Sequence, residues 1–275
     1  MDLCDLNTIK ALLGRHGFHF SKSMGQNFLI QDWVPRGLVE GAGVGPENGV
    51  LEIGPGIGPL TSQLAAAAQK VVAVELDRSL LPVLDETLAD FSNVEILPAD
   101  ILKLDIPALV DEKFPGLVPM ACANLPYNIT TPVLTALIEA NRFACIAVMI
   151  QREVALRICA APGTADYGAV PELLFDVGPE CFVPAPKVTS SVIRMVPRSA
   201  PPEGVEDEKR FFRVVKAAFG QRRKTLLNAL SAGLGGVDKE HIKAAIAAAG
   251  LEENIRGERL GIPEFAALTR ALGDF

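Results

Sequence analysis

The sequence lacks the features that mark exported, membrane-spanning and metal-binding proteins. Its five cysteines are odd in number, widely spaced and without a CxxC pair, so we expect reduced thiols in a cytoplasmic protein. The three histidines form no metal-ligand set, so we expect no metal site. The longest uncharged apolar run, "FACIAVMI" (143–150), is far shorter than the roughly 20 residues of a membrane-spanning helix. The amino end, which carries Asp2 and Asp5, resembles neither a secretory signal nor a transit peptide.

An excess of acidic residues gives the 275-residue chain a net charge of −7, which by itself disfavours a nucleic-acid partner. Counterion release depends on local clusters of Lys and Arg, however, and residues 209–224 contain seven basic side chains and no acidic one. Lys10, Arg15 and Lys22 add positive charge near the amino end. Such a run is either a solvated helix face or a nucleic-acid-binding surface, and composition leaves both open.

Strand-like and helix-like segments alternate through the first two thirds of the chain, which is typical of a parallel sheet built from βαβ units. The strand candidates are continuously apolar or rich in β-branched residues: 49–54, 70–77, 93–100, 119–126 and 143–150. Two further candidates, 173–183 and 190–197, are close enough to form an antiparallel edge.

A proline-rich stretch, 197–207, then reads as a linker, and only helical patterns follow: 207–219, 221–232, 238–249 and 263–272. We therefore predict a mainly parallel α/β domain over residues 1–200 and a small helical domain over 201–275.

A glycine-rich stretch, "LEIGPGIGPLT" (51–61), lies where the first strand meets the next helix. Gly54, Gly56 and Gly58 permit backbone conformations and close approaches that a Cβ would forbid. The dinucleotide fingerprint GxGxxG is missed because Pro59 occupies the position of its third glycine. The loop therefore favours a ligand that places no pyrophosphate at the helix amino end.

Polar side chains end the successive strands after this loop. Glu75 ends the second strand, where a carboxylate can accept hydrogen bonds from both hydroxyls of a ribose. Asp100 ends the third strand and Asn124 the fourth, whereas Asp77 is the expected cap of the next helix. Each acid alone could be an ordinary strand-end residue, but together they predict a binding site along one edge of the sheet.

This series resembles the class I methyltransferases that bind S-adenosylmethionine, which have a Rossmann-like fold. The resemblance implies that Gly54 and Gly56 line the methionine part of the cofactor. It also implies that Glu75 holds the ribose and that Asp100 accepts a hydrogen bond from the adenine amine.

The stretch "NLPYNIT" (124–130) follows the fourth strand. An adenine amine is a poor nucleophile because its lone pair is delocalised into the ring. If its two N–H groups donate to the Asn124 side-chain oxygen and the Leu125 carbonyl, the nitrogen is biased toward a pyramidal, nucleophilic geometry. Pro126 stiffens this backbone, and Tyr127 offers a stacking face worth roughly 1–3 kcal/mol. Without the preceding series of polar residues, the same stretch would predict an ordinary turn at the end of a strand.

NLPY resembles the signature of amine methyltransferases, and with five other stretches the chain is similar to the KsgA/RsmA family of small-subunit rRNA dimethyladenosine transferases. Those stretches are "GQNFL" (25–29), 151–170, 182–194, 219–230 and 254–265. The resemblance implies that Asn27, Leu29 and Asn124 belong to the cofactor cleft, which residues 1–30 cover. It also implies that Phe182 sandwiches a flipped adenine against Tyr127.

The resemblance further implies the substrate: two adjacent adenines in the 3′-terminal hairpin loop of small-subunit rRNA, each dimethylated by a monomeric enzyme. The helical domain would contact the RNA through Arg222, Arg223 and Lys224.

Three alternatives stay open to different degrees. Large-subunit rRNA dimethylases of the macrolide-resistance type share the cofactor motifs and an FxPxPKV-like segment, although the helix "QRRKTLLNAL" and the tail to residue 275 favour the small subunit. A ribosome-assembly factor with incidental methylation is compatible with the enzyme. A nicotinamide oxidoreductase is disfavoured by Pro59 and by the lack of a Tyr/Lys or His/Asp proton relay.

Overall fold

The computed structural model describes residues 1–18, 26–159, 168–198, 200–221 and 224–275. Two compact units can be distinguished within the chain. The larger consists of Met1–Leu156 and Ala169–Pro197, and the smaller consists of Arg157–Gly168 and Arg198–Phe275. The division of the chain into domains at residue 200 stays a prediction.

The larger unit is built around a twisted sheet. Its strands are β2 (Asn48–Ile53), β3 (Lys70–Glu75), β4 (Val94–Pro98), β5 (Val118–Asn124), β6 (Cys145–Gln151), β7 (Ala169–Val177) and β9 (Ser190–Pro197). In the described residues their order is β4-β3-β2-β5-β6-β9-β7. The first five are parallel, and β9 runs antiparallel to both β6 and β7. The predicted mainly parallel sheet with an antiparallel edge is confirmed.

The single strand predicted over 173–183 is wrong. β7 ends at Val177, a short 3₁₀ turn occupies Pro179–Cys181, and a separate strand, β8 (Phe182–Val183), follows. Pro179 has no N–H for a sheet ladder, so the chain leaves the large sheet here. β8 pairs instead with β1 (Phe28–Leu29), in antiparallel register with Leu29 opposite Phe182.

The helices that begin before residue 160 are α1 (Leu6–Arg15), α2 (Trp33–Ala42), α3 (Pro59–Ala67), α4 (Leu81–Thr87), α5 (Ile106–Lys113), α6 (Thr130–Glu139) and α7 (Arg152–Cys159). α1 begins after Asp5, whose carboxylate accepts a hydrogen bond from the Thr8 N–H at 2.7 Å. Its apolar side packs in one buried cluster with Phe28, Ile57 and Leu80. The amino-terminal helix is therefore held against the glycine loop and the turn that follows β3.

The smaller unit is helical after Pro197, as predicted. Its helices are α8 (Glu208–Phe219), α9 (Leu226–Gly233), α10 (Lys239–Ala248) and α11 (Ile262–Leu272), packed around an apolar core. α9 begins later than the expected residue 221, because Thr225 is extended and takes the N-cap position. Arg222 and Arg223 lie outside the described residues.

No helix in the described part of the chain combines the length and apolarity needed to cross a membrane. Nor do the described His, Cys, Asp and Glu side chains include a cluster that could hold a metal ion. All five cysteines are free thiols.

Candidate functional site

A cavity of about 200 Å³ opens at the carboxyl ends of β2, β3 and β5. The strand order reverses between β2 and β5, because the chain first builds β3 and β4 on one side of β2 and then β5 on the other. Such a switch point leaves a crevice at the carboxyl edge of a parallel sheet. All the predicted cofactor and catalytic residues line this cavity: Asn27, Leu29, Gly54, Gly56, Glu75, Asp100, Asn124, Leu125, Pro126, Tyr127 and Phe182.

The glycine loop forms one wall of the cavity. Gly54, Gly56 and Gly58 adopt left-handed φ angles of 69°, 62° and 94°, which side chains with a Cβ rarely adopt. A Cβ on Gly56 would lie only 3.3 Å from the Phe28 ring. Pro59, which breaks the dinucleotide fingerprint, occupies the first turn of α3, where a missing N–H costs no hydrogen bond.

Glu75 is buried at the end of β3, with 6% of its surface exposed. Its Oε1 accepts a hydrogen bond from the Asp77 N–H at 2.7 Å, and its Oε2 accepts one from the Gly56 N–H at 3.3 Å. Burial raises the pKa of Glu75, and these two backbone donors oppose the shift. The carboxylate is therefore fixed in orientation, and each oxygen keeps a lone pair for a ligand.

Asp77 and Asp100 both cap short turns at the cavity rim. Asp77 accepts from the Ser79 N–H at 2.9 Å, as the sequence suggested, and also from Gln26 Nε2 at 2.7 Å. Asp100 accepts from the Leu102 N–H at 3.1 Å and lies 3.4 Å from Lys103 Nζ. The Gln26 contact ties the segment before β1 to the acidic rim.

Glu52, on β2, is a cavity residue that sequence reasoning missed. It is 1% exposed, and its Oε2 has no hydrogen-bond partner among the described residues. Burial raises the pKa of Glu52 to about 8. The available signal was an acid inside an apolar strand directly before the glycine loop.

The cavity is strongly acidic in composition. Four carboxyl groups line it: Glu52, Glu75, Asp77 and Asp100. Among the described residues, no Lys, Arg or His side chain lines it. A buried carboxyl without a partner is costly unless a ligand supplies a donor or a positive charge. These residues therefore fit a cationic ligand that carries a ribose and disfavour a pyrophosphate.

Glu52 should also make the stability of the ligand-free protein depend on pH. Its folded-state pKa lies above its ordinary value of 4.5, so the folded state keeps a proton that the unfolded state releases. Between these two pKa values, stability should fall with rising pH by up to about 1.4 kcal/mol per pH unit. We expect Glu52→Gln to lose this slope in urea unfolding. Parallel pH profiles for the two proteins would contradict the assignment.

Asn124 lies at the end of β5, with its amide held in the cavity. Its Nδ2 donates to the Asn27 carbonyl at 3.4 Å, and its Oδ1 has no partner among the described residues. The Leu125 N–H donates to the Met149 carbonyl at 3.1 Å, and the Pro126 carbonyl accepts from the Thr130 hydroxyl at 3.3 Å. The backbone after β5 is thus fixed, and the Asn124 oxygen remains free to accept.

Two aromatic residues line the cavity beside Asn124. Tyr127 is partly buried, its hydroxyl lies 2.7 Å from Ser190 Oγ, and burial raises the pKa of the phenol. Phe182 is buried and is fixed by the pairing of β8 with β1. Leu76 and Ile101, which sequence reasoning did not select, line the cavity on the side of Glu75 and Asp100.

Two described arginines of the basic run 209–224 are already paired with other residues. Arg210 forms an ion pair with Asp274, and Arg213 donates to the Phe275 carbonyl at 2.9 Å and lies over the Phe275 ring. These two side chains hold the carboxyl end of the chain, so not every basic side chain of the run is unpaired. Of the other described basic side chains in the run, Lys209, Lys216 and Lys224 are exposed and form no ion pair among the described residues.

The strand order, the glycine loop, the acidic cavity and the NLPY segment define a class I methyltransferase that uses S-adenosylmethionine. Residues 17–259 match the family model described as "Ribosomal RNA adenine dimethylase". The chain belongs to this ribosomal RNA adenine dimethylase family, and the resemblance inferred from the sequence is confirmed.

Curated relatives align over nearly the whole chain. "Ribosomal RNA small subunit methyltransferase A" of Alkaliphilus metalliredigens is 47% identical, over 95% of this chain and 94% of its own length. The protein of the same name from Geobacillus thermodenitrificans is 46% identical, over 98% of this chain and 97% of its own length.

Two solved structures share the fold. The 23S rRNA methyltransferase ErmE has a TM-score of 0.72 at 24% identity, covering 90% of this chain and all of its own. A dimethyladenosine transferase from Plasmodium falciparum has a TM-score of 0.68 at 22% identity, covering 87% of this chain and 95% of its own.

Proposed function

We propose that this enzyme dimethylates the N6 amines of two adjacent adenosines in the 3′-terminal hairpin loop of small-subunit rRNA. The observation that carries the proposal is the identity of 47% to a relative named as a small-subunit methyltransferase, across nearly the full chain. The 23S rRNA enzyme, at 24% identity, shares the fold and supports no substrate assignment. Dimethyladenosine should appear in unmethylated small subunits after incubation with the enzyme and cofactor.

The cofactor-binding roles follow from the acidic cavity. S-adenosylmethionine supplies a methyl group activated by a sulfonium. Glu75, held by two backbone donors, accepts from both ribose hydroxyls, and Asp100 accepts from the adenine amine of the cofactor. Asn27, Leu29, Gly54 and Gly56 form the walls around it. The unpartnered Glu52 oxygen favours the positively charged end of the ligand.

Asn124 and Leu125 activate the target nitrogen by holding its two N–H groups. The free Asn124 oxygen and the Leu125 carbonyl accept one N–H each, which directs the nitrogen lone pair at the methyl group. Bound S-adenosylmethionine would supply the methyl group to this nitrogen, and the electron pair of the broken C–S bond would leave with sulfur. An amide is no base near neutral pH, so the proton leaves the nitrogen for water only after transfer has made it acidic. Positioning of this kind can contribute about 7–11 kcal/mol.

Tyr127 and Phe182 bind the target base, with Pro126 stiffening the turn between Asn124 and Tyr127. An adenine must leave its stack to reach the cavity, and aromatic faces on both sides compensate part of that cost. Both rings line the same cavity as Asn124, which supports this role.

The remaining roles concern the two ends of the chain. Residues 1–30 cover the cofactor cleft, a role supported by the packing of α1 on Ile57 and by the Gln26 to Asp77 hydrogen bond. Residues 201–275 contact the small subunit, and a role in subunit assembly is compatible with this. We expect a cytoplasmic monomer, and the free cysteine thiols are compatible with a reducing compartment.

The RNA contact of Arg222, Arg223 and Lys224 can be tested by salt dependence. Each phosphate contact contributes about 0.7–0.9 to the slope of log affinity against log salt concentration. Replacing Arg222 and Arg223 with alanine should weaken small-subunit binding and flatten the slope by about 1.5, without changing cofactor affinity. Lys243→Ala is the matched control, because it removes a basic side chain that is already paired with Glu253. An unchanged slope in the double variant would show that the two arginines only face solvent.

A further inference from the structure

Ser190 is a buried polar residue in contact with the proposed base-binding ring. It is 1% exposed and begins β9, where it pairs with Gln151 of β6 and Val177 of β7. Its Oγ lies 2.7 Å from the Tyr127 hydroxyl. Strands on both sides fix the backbone of Ser190, so the hydrogen bond holds the outer end of the Tyr127 ring at a rigid point of the sheet.

The segment 182–190 connects both aromatic walls of the site. At one end Phe182 is fixed opposite Leu29 by the pairing of β8 with β1. At the other end Ser190 is fixed in the large sheet and holds Tyr127. The two aromatic residues that line the cavity are therefore held at the two ends of a single segment of chain.

We propose that Ser190 is a positioning residue, which orients Tyr127 through its hydroxyl and so sets the slot that receives the target adenine. The raised pKa of Tyr127 keeps its phenol protonated, so the two hydroxyls share one neutral hydrogen bond. Without it, the whole ring can swing about the Cα–Cβ bond of Tyr127, and the adenine amine loses its alignment with Asn124. The inference rests on the proposed stacking role of Tyr127.

The adjacent Ser191 provides a matched control. It is equally buried, and its Oγ donates to Asp176 Oδ1 at 2.6 Å. Successive residues of a strand face opposite sides of the sheet, so Ser191 points away from Ser190. Ser190→Ala and Ser191→Ala thus each remove one hydrogen bond of a buried serine, but only the first affects a residue of the cavity.

We expect Ser190→Ala to slow single-turnover methyl transfer to unmethylated small subunits about tenfold, the scale of one lost buried hydrogen bond. Ser191→Ala should keep the wild-type rate, and both variants should keep the wild-type affinity for S-adenosylhomocysteine. Tyr127→Phe should slow transfer similarly, and Ser190→Ala should add nothing in the Tyr127→Phe background.

Two results would overturn the inference: equal rates for the two serine variants, or a full tenfold effect of Ser190→Ala in the Tyr127→Phe background. Because the wild-type enzyme is assayed alongside, failure of the proposed function can be distinguished from failure of the inference about Ser190. In that case the wild type itself would transfer no methyl group to the subunits.

Discussion

Replacing Asn124 with alanine should lower the rate of methyl transfer by about 100- to 1,000-fold, the range found when one oriented hydrogen-bonding group is removed from an active site. The interaction with the Asn124 oxygen strengthens as the target nitrogen becomes pyramidal, so it belongs chiefly to the transition state. Cofactor affinity and small-subunit binding should therefore fall far less than the rate.

The two transfers should respond differently to this variant. A monomethylated amine retains one N–H and cannot use the Asn124 oxygen and the Leu125 carbonyl together. Mass spectrometry of mono- and dimethyladenine under single-turnover conditions measures both steps. Asn93→Ala is the control, because Asn93 donates to the Ala65 and Ala68 carbonyls and does not line the cavity. If Asn124→Ala forms both products at wild-type rates, NLPY is only a structural turn.

Glu75→Ala should weaken S-adenosylmethionine binding by at least about 100-fold. Two charge-assisted hydrogen bonds to the ribose are lost, each worth about 1.5–3 kcal/mol. The Gly56 and Asp77 N–H groups, which now donate to Glu75, also lose their acceptor, so the glycine loop is less well held. Calorimetry with S-adenosylhomocysteine measures the loss directly.

Glu86→Ala is the matched control for Glu75→Ala. Glu86 forms an ion pair with Arg15 and a hydrogen bond with His16 and does not line the cavity, so its loss should leave ligand affinity unchanged. Urea unfolding checks that both variants remain folded. Wild-type affinity in Glu75→Ala would remove Glu75 from the cofactor site.

The sheet and most of the candidate site could be predicted because the signals are local. Buried parallel strands are continuous apolar runs, and their carboxyl ends lie along one edge, so residues such as Glu75, Asp100 and Asn124 must be neighbours. The glycine pattern of 51–61 likewise indicates a ligand loop without any knowledge of tertiary structure.

The features that escaped prediction depend on contacts between distant parts of the chain. Nothing near Phe182 in the sequence indicates that it pairs with Leu29. Two further contacts arise only on folding: the hydrogen bond between Tyr127 and Ser190, and the ion pair of Arg210 with Asp274. Sequence spacing alone does not show which charges will be paired.

A labelling experiment can show whether the enzyme's substrate is the small-subunit RNA. The enzyme would receive S-adenosylmethionine carrying a labelled methyl group, with unmethylated small subunits in one reaction and protein-free large-subunit rRNA in the other. We expect label in dimethyladenine of the small-subunit RNA alone, at two adjacent adenosines of the 3′-terminal hairpin loop. Label that appears only in the large-subunit rRNA would contradict it.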